Sequence, residues 1–202
     1  MKKLQEYSEK EKKYIIDLAR ETIISTLQKK EIAIPKDCPA KLKEKGAVFV
    51  TLEKNIAGKK HLRGCIGSLT AYRPLVEDLI ENSINAAFYD PRFEPVIAEE
   101  LENVEIEISV LTKPVQLQFS DYNDLLKKIK APEDGIILSK EGKRSTFLPV
   151  VWEHFKTNGR YYKEGFLTEL SLKAGLMPNA WKEKECKIEI YHAILIREDE
   201  FK

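Results

Sequence analysis

The residues best able to do chemistry lie in one run, His61-Leu62-Arg63-Gly64-Cys65-Ile66-Gly67. A thiol attacks as its thiolate, and a neighbouring guanidinium favours that form. In a regular strand, period-two geometry puts His61, Arg63, Cys65 and Gly67 on one face and Leu62, Gly64 and Ile66 on the other. The Cα atoms of Arg63 and Cys65 are then about 6–7 Å apart, close enough for the arginine to depress the thiol pKa. His61 falls about 13 Å from Cys65, too far for a local base, so a Cys–His pair requires His154 or His192 from elsewhere in the fold. Two glycines within an expected strand mark a bulge, a bend, or close approach of a backbone or ligand. On this reading Cys65 and Arg63 are candidate catalytic groups, Arg63 serving as a carboxylate- or phosphate-binding group, and Gly64 and Gly67 are candidate ligand contacts. The competing reading is a small buried thiol beside a sheet kink, the usual setting of a free cysteine.

Other groups divide in the same way. In Tyr89-Asp90-Pro91-Arg92-Phe93, Asp90 and Arg92 are candidates for holding a polar ligand, or they pair and lock the loop over Phe93. Glu105 and Glu107 share a face two residues apart, as an acid/base pair or as a solvated sheet surface; with no histidine or aspartate nearby, no metal site is assigned. Ser145 and Thr146 are candidate ligand-binding hydroxyls or caps for a helix starting at Pro149. Trp152 and Trp181 read as packing residues whose N–H donors could line a cleft. His154 is a candidate base, while His192 reads as a satisfied core histidine. Lys173 suits a helix C-terminus, where a cation complements the dipole.

Composition narrows the classes. The chain has 202 residues, 34 Lys+Arg against 33 Asp+Glu, with 43% apolar and 33% charged residues. That length suits one domain, or one domain with two lobes, and suffices for a core without disulfides or structural metal. The balanced charge argues against a broad nucleic-acid surface. Gly64-x-x-Gly67 resembles an RNA-clamping GXXG loop in spacing only, because its middle residues are Cys and Ile rather than a basic pair. Apolar runs reach four residues where a membrane span needs about 20. The opening MKKLQEYSEKEKK starts basic but has no apolar stretch behind it, so it is expected to belong to the folded protein rather than to a signal peptide. Three widely spaced cysteines suit free thiols in a reducing cytoplasm. There is no GxGxxG after a strand, no GxxxxGK[ST], no HExxH and no GxSxG, so no cofactor is assigned.

The elements that must position these groups follow from periodicity. Ser8 with Glu11 has capping-box spacing ahead of Ile15, Leu18, Ala19, Ile23 and Leu27, predicting a helix over about 8–30. Ala47–Glu53 and Lys60–Leu69 predict a hairpin about an Asn55–Gly58 turn. Pro74 can open a helix that stops near Asp90-Pro91. Residues 103–112 alternate as a strand, and 122–129 form a short helix. Gly135–Ser139 and Ser145–Leu148 flank a Glu141-Gly142 turn. Helices are expected over 149–155 and 168–174, the second ending at Gly175. Residues 186–197 alternate again, as one strand. Alternating strands among irregularly spaced helices predict an α+β fold with a mostly antiparallel sheet and flanking helices. Residues 8–112 with 183–197 are expected to form a main lobe and 113–182 a smaller one, two unequal subdomains with a cleft between them.

LRGCIG at Leu62–Gly67 resembles the signature of the AMMECR-type family, whose bacterial and archaeal members are also called AmmeMemoRadiSam system protein A. The resemblance continues through AAFYDPRF at Ala86–Phe93, VEIEISVL at Val104–Leu111, STFLPVVW at Ser145–Trp152 and LKAGL at Leu172–Leu176. It implies an α+β fold of two unequal subdomains with LRGCIG near the cleft between them. It also implies an association with Memo-like proteins, which resemble metal-dependent dioxygenases, and with radical SAM proteins. It implies no particular reaction. The sequence carries no Memo-like domain, so such a partner is expected as a separate chain. Two functions stay open: an enzyme or enzyme component built on Cys65 and Arg63, and a non-catalytic module binding a small molecule or protein. A third reading makes LRGCIG a folding element.

Overall fold

The computed structural model describes residues 7–201; the expectation for the first six residues lies outside the described ones. In chain order the helices are α1 (Glu9–Leu27), α2 (Leu75–Phe88), α3 (Tyr122–Lys128) and α4 (Lys163–Lys173). The strands are β1 (Lys45–Ile56), β2 (Lys59–Gly67), β3 (Arg73–Pro74), β4 (Val104–Leu111), β5 (Val115–Gln116), β6 (Gly135–Lys140), β7 (Lys143–Phe147), β8 (Lys156–Thr157), β9 (Arg160–Tyr161), β10 (Lys187–Tyr191) and β11 (Ala193–Arg197). They form two compact units, one from the chain up to Thr112 together with Ile194 onward, the other from Lys113–Ala193. The fold is α+β, with antiparallel pairing throughout the registers of β1, β6 and β10.

The first unit holds a sheet in the order β11-β4-β1-β2, with β3 added to β1. Helix α1 begins as its sequence requires: the Ser8 hydroxyl accepts from Glu11 N, and the Glu11 carboxylate accepts from Ser8 N at 2.8 Å. Val48, Val50, Leu52, Ile106 and Ile108 alternate onto one sheet face and are buried with Ile15, Ile16 and Ile23 of α1 and Leu79 of α2. In the β1–β2 hairpin β1 runs longer than expected while β2 ends at Gly67, short of the expected Leu69, and the chain turns at Ala57-Gly58, whose φ values of 52° and 79° match the positive pair that a two-residue hairpin turn uses.

The second unit has a sheet ordered β5-β10-β6-β7 and a small β8–β9 ribbon. Its core is separate: Trp152 stacks on Phe166 at 3.6 Å between centroids, beside Leu125, Leu138, Trp181 and Ile188. Helix α4 starts at Lys163, earlier than expected, and ends where Gly175 takes φ +70°. Residues 149–155 form a 3₁₀ helix. The expected single strand over 186–197 divides at His192. β10 pairs with β5 and β6 in the second unit, and only β11 joins β4. The period-two pattern continues through the break, so alternation alone could not reveal a change of sheet.

Candidate functional site

The glycines of LRGCIG answer to packing. A Cβ on Gly64 would lie 2.1 Å from the Ala86 carbonyl oxygen, so the backbone of α2 rests directly on β2. A Cβ on Gly67 would meet the Phe49 ring at 2.2 Å. Between Leu52 and Glu53 the register of β1 on β2 passes from Gly64 to Leu62, leaving Arg63 as the extra residue of a β-bulge. The bulge overturns the expected faces: Leu62 lies opposite Glu53, where a regular strand would place Arg63, and His61 lies opposite Lys54. Arg63 does not serve as the local cation for Cys65. Its Nε and Nη2 donate to Glu100 at 3.1 and 2.7 Å, Nη2 also reaches the Glu94 carbonyl, and Lys54 joins Glu100 at 3.1 Å. Arg63 and Lys54 hold the Glu100 carboxyl down at about 2, helped by the Ile97 N–H.

Cys65 is the half-buried cysteine of the three; Cys38 and Cys186 are buried, and all are free thiols. Its backbone is clamped at the sheet edge. Cys65 N donates to Asp90 Oδ2 at 2.8 Å and its carbonyl accepts from Arg92 Nη2 at 3.1 Å. Asp90 also takes Arg92 N, Nε and Nη2 at 3.1, 2.9 and 2.6 Å. With 4% of its surface exposed, its carboxyl is held at about 2, chiefly by the Arg92 hydrogen bonds. Asp90 and Arg92 therefore occupy the edge groups that an additional strand would take.

The thiol faces Thr51, with Sγ 3.2 Å from Oγ1. Thr51 lies opposite Cys65 on one side and opposite Glu107 on the other. Glu107 has 9% exposure and accepts from Arg197 Nε at 3.0 Å. Four strands thus carry one polar row: Arg197, Glu107, Thr51 and Cys65. Burial pushes the Cys65 thiol above its ordinary value. The Thr51 bond and the Arg92 charge oppose the rise, and the Asp90 and Glu107 charges add to it. The expected depression of this thiol by Arg63 is corrected accordingly. Burial also raises the Glu107 carboxyl, against the pull of Arg197.

A profile of the AMMECR1 family matches residues 16–196. This chain belongs to the AMMECR1 family. A protein of Saccharolobus solfataricus is 37% identical over 96% of this chain and 85% of its own length. One of Methanothermobacter thermautotrophicus is 36% identical over 95% and 96%. The crystal structure of an uncharacterized protein from Pyrococcus horikoshii superposes with a TM-score of 0.85 at 38% identity, covering 93% of this chain and 91% of that one. None of these names states a reaction.

Within this AMMECR1-family chain, most of the remaining expected groups have structural partners. Ser145 and Thr146 lie in β7 of the second unit and do not cap the following 3₁₀ helix, whose first residue has no side-chain cap. Ser145 Oγ donates to the Leu170 carbonyl at 2.6 Å and Thr146 Oγ1 to that of Ile136 at 2.9 Å. His192 is no core histidine; it sits at the break between β10 and β11, its Nε2 3.1 Å from Asp134 Oδ1. His154 is exposed. Trp152 and Trp181 are buried, their N–H groups bonded to the Asp134 carbonyl and the Thr168 hydroxyl. Glu105 is paired with Lys60 at 2.9 Å, and Lys60 also reaches Asp199 at 3.0 Å. Among the described residues no group of three or more His, Cys, Asp or Glu is arranged to hold a metal ion. Thr51 and Arg197 were not singled out by sequence reasoning. A hydroxyl at the centre of a β-branched strand was a weak signal, and its partners depend on strand register. No helix among the described residues is long and apolar enough to cross a membrane.

Proposed function

We propose that this protein is an enzyme component whose reacting group is the Cys65 thiol, held as a neutral thiol in a fixed position. The observation that carries this reading is the immobilisation of one cysteine from three directions: Asp90 on its N–H, Arg92 on its carbonyl and Thr51 on its sulfur. A thiol so placed meets a substrate without reorganising, which is what positioning contributes to a rate. Three free thiols support a cytoplasmic setting, and the family likeness supports action beside a Memo-like or radical SAM protein on a separate chain. Labelling of the native protein with iodoacetamide, followed by peptide mapping, tests the reading. Cys65 should be modified ahead of the buried Cys38 and Cys186; a Cys65 that stays unmodified in the folded protein removes it.

A non-catalytic binding module is the second reading. It is favoured by the commitment of Arg63 to Glu100 and Glu94 and of Arg92 to Asp90, which leaves the expected anion-binding groups occupied by the protein itself. The two readings separate on Cys65→Ser. Unchanged affinity for a Memo-like partner, measured by titration calorimetry, with no chemistry lost, supports the module.

A further inference from the structure

We propose that the Cys65 thiol serves a small anionic electrophile, a compound carrying a carboxylate or phosphate beside its reactive atom, and that the free end of the Arg92 guanidinium holds that anion. This rests on the thiol reading above and names the substrate class and the residue that selects it. Asp90 takes only one side of the Arg92 fork. Nε donates to Asp90 Oδ1 at 2.9 Å, and Nη2 divides its two N–H groups between Asp90 Oδ2 at 2.6 Å and the Cys65 carbonyl at 3.1 Å. Nη1 has no hydrogen-bond partner among the described residues, and the Arg92 side chain is 53% exposed. A guanidinium is planar, with five N–H donors in a fixed fork. One Nη1 N–H therefore runs parallel to the Nη2 N–H that meets the Cys65 carbonyl, and is offered on the Cys65 side of the loop. The Phe93 ring packs against the group, its centroid 5.4 Å from Cζ. The donor is thus in place before a ligand arrives, and an oxyanion is the acceptor that an arginine binds most strongly.

The carboxylates around the thiol each have a cation of their own. Asp90 is paired with Arg92, Glu107 with Arg197, Glu100 with Arg63 and Lys54, and Glu53 lies 3.7 Å from Lys60. An arriving anion meets an unspent donor among neutralised pairs. At the sulfur the Arg92 charge also outweighs the Asp90 charge, as it does where the guanidinium rather than the carboxylate is nearer the thiol. Arg63, first expected in this role, is largely buried and turned to Glu100.

Two alkylating probes of nearly the same shape separate recognition from reactivity. Iodoacetate carries a carboxylate where iodoacetamide carries a neutral amide. With either, the Cys65 sulfur bonds to the CH2 carbon, iodide leaves and the thiol proton passes to solvent. Thiol ionisation and access therefore cancel in the ratio of the iodoacetate to the iodoacetamide rate, read at Cys65 by peptide mapping. In the native protein that ratio should exceed the ratio at Cys65 of the urea-unfolded protein by about fivefold or more, and the excess should shrink as sodium chloride screens the contact. Arg92→Gln should return the ratio to the unfolded value. Circular dichroism identifies variants that fold; if Arg92→Gln does not, Arg92→Lys, which keeps a cation for Asp90 but has no second nitrogen, should lower the ratio instead. Inorganic phosphate and acetate at equal ionic strength distinguish the two oxyanions: the one that slows iodoacetate labelling more is the group the substrate carries. A native ratio at or below the unfolded one, or a raised ratio that persists in folded Arg92→Gln or Arg92→Lys, overturns the assignment to Arg92 while leaving the thiol reading standing. Failure of both probes to label Cys65 in the folded protein overturns the thiol reading itself.

Discussion

The Asp90 carboxylate receives four hydrogen bonds from two residues, Cys65 and Arg92, and is almost wholly removed from solvent. Removing it leaves the Cys65 N–H without its partner, so Asp90→Ala should lower stability by about 1–3 kcal/mol in urea denaturation. The same site governs acid behaviour. Asp90 and Glu100 are both held at about 2, below the roughly 3.9–4.3 of an unfolded carboxyl. Their contribution is complete above the unfolded values and is lost as pH falls from about 4.5 toward 2. Asp90→Asn should flatten the stability–pH curve in that window, which denaturation at stepped pH measures. Sequence singled out Cys65, Arg63, Asp90 and Arg92. It assigned Arg63 to the wrong partner because Glu100 is 37 positions away and a bulge intervenes. Thr51 became the thiol's neighbour, and Glu107 that of Thr51, only through the registers of β1 with β2 and β4, and no local pattern encodes register.

At the scale of elements, α2 and β2 approach until a carbonyl of the helix meets the strand backbone. Gly64→Ala places a methyl against the Ala86 oxygen, a backbone atom that cannot rotate away. That variant should lose about 1–3 kcal/mol and show weakened protection of α2 amides in hydrogen exchange. The two glycines were legible as a place of close approach, although what approaches is a helix and a phenyl ring rather than a ligand. Helices with caps and one apolar face were also legible, α1 most completely, since Ser8, Glu11 and the isoleucine spacing all specify the same start. The 186–197 segment was not. Two strands separated by His192 share one continuous alternation, and only tertiary pairing tells which sheet each joins.

For the whole molecule, two cores mean two separately readable stabilities. Both tryptophans lie in the second unit, and Trp152 stacks on Phe166. Phe166→Ala should therefore cost about 3–5 kcal/mol, seen as an earlier transition in tryptophan fluorescence. The antiparallel α+β class was readable from alternating strands. The second unit spans Lys113–Ala193 and so takes in β10. The first unit is discontinuous: it is interrupted after Thr112 and completed by β11, which lies against β4. During synthesis the ribosome must deliver the whole of Lys113–Ala193 before β4 receives its last neighbour. Until then β4 is an open edge strand in the nascent chain, the kind of surface that recruits other chains. The contiguous second unit can fold in that interval, so the order of folding is written into the order of the strands.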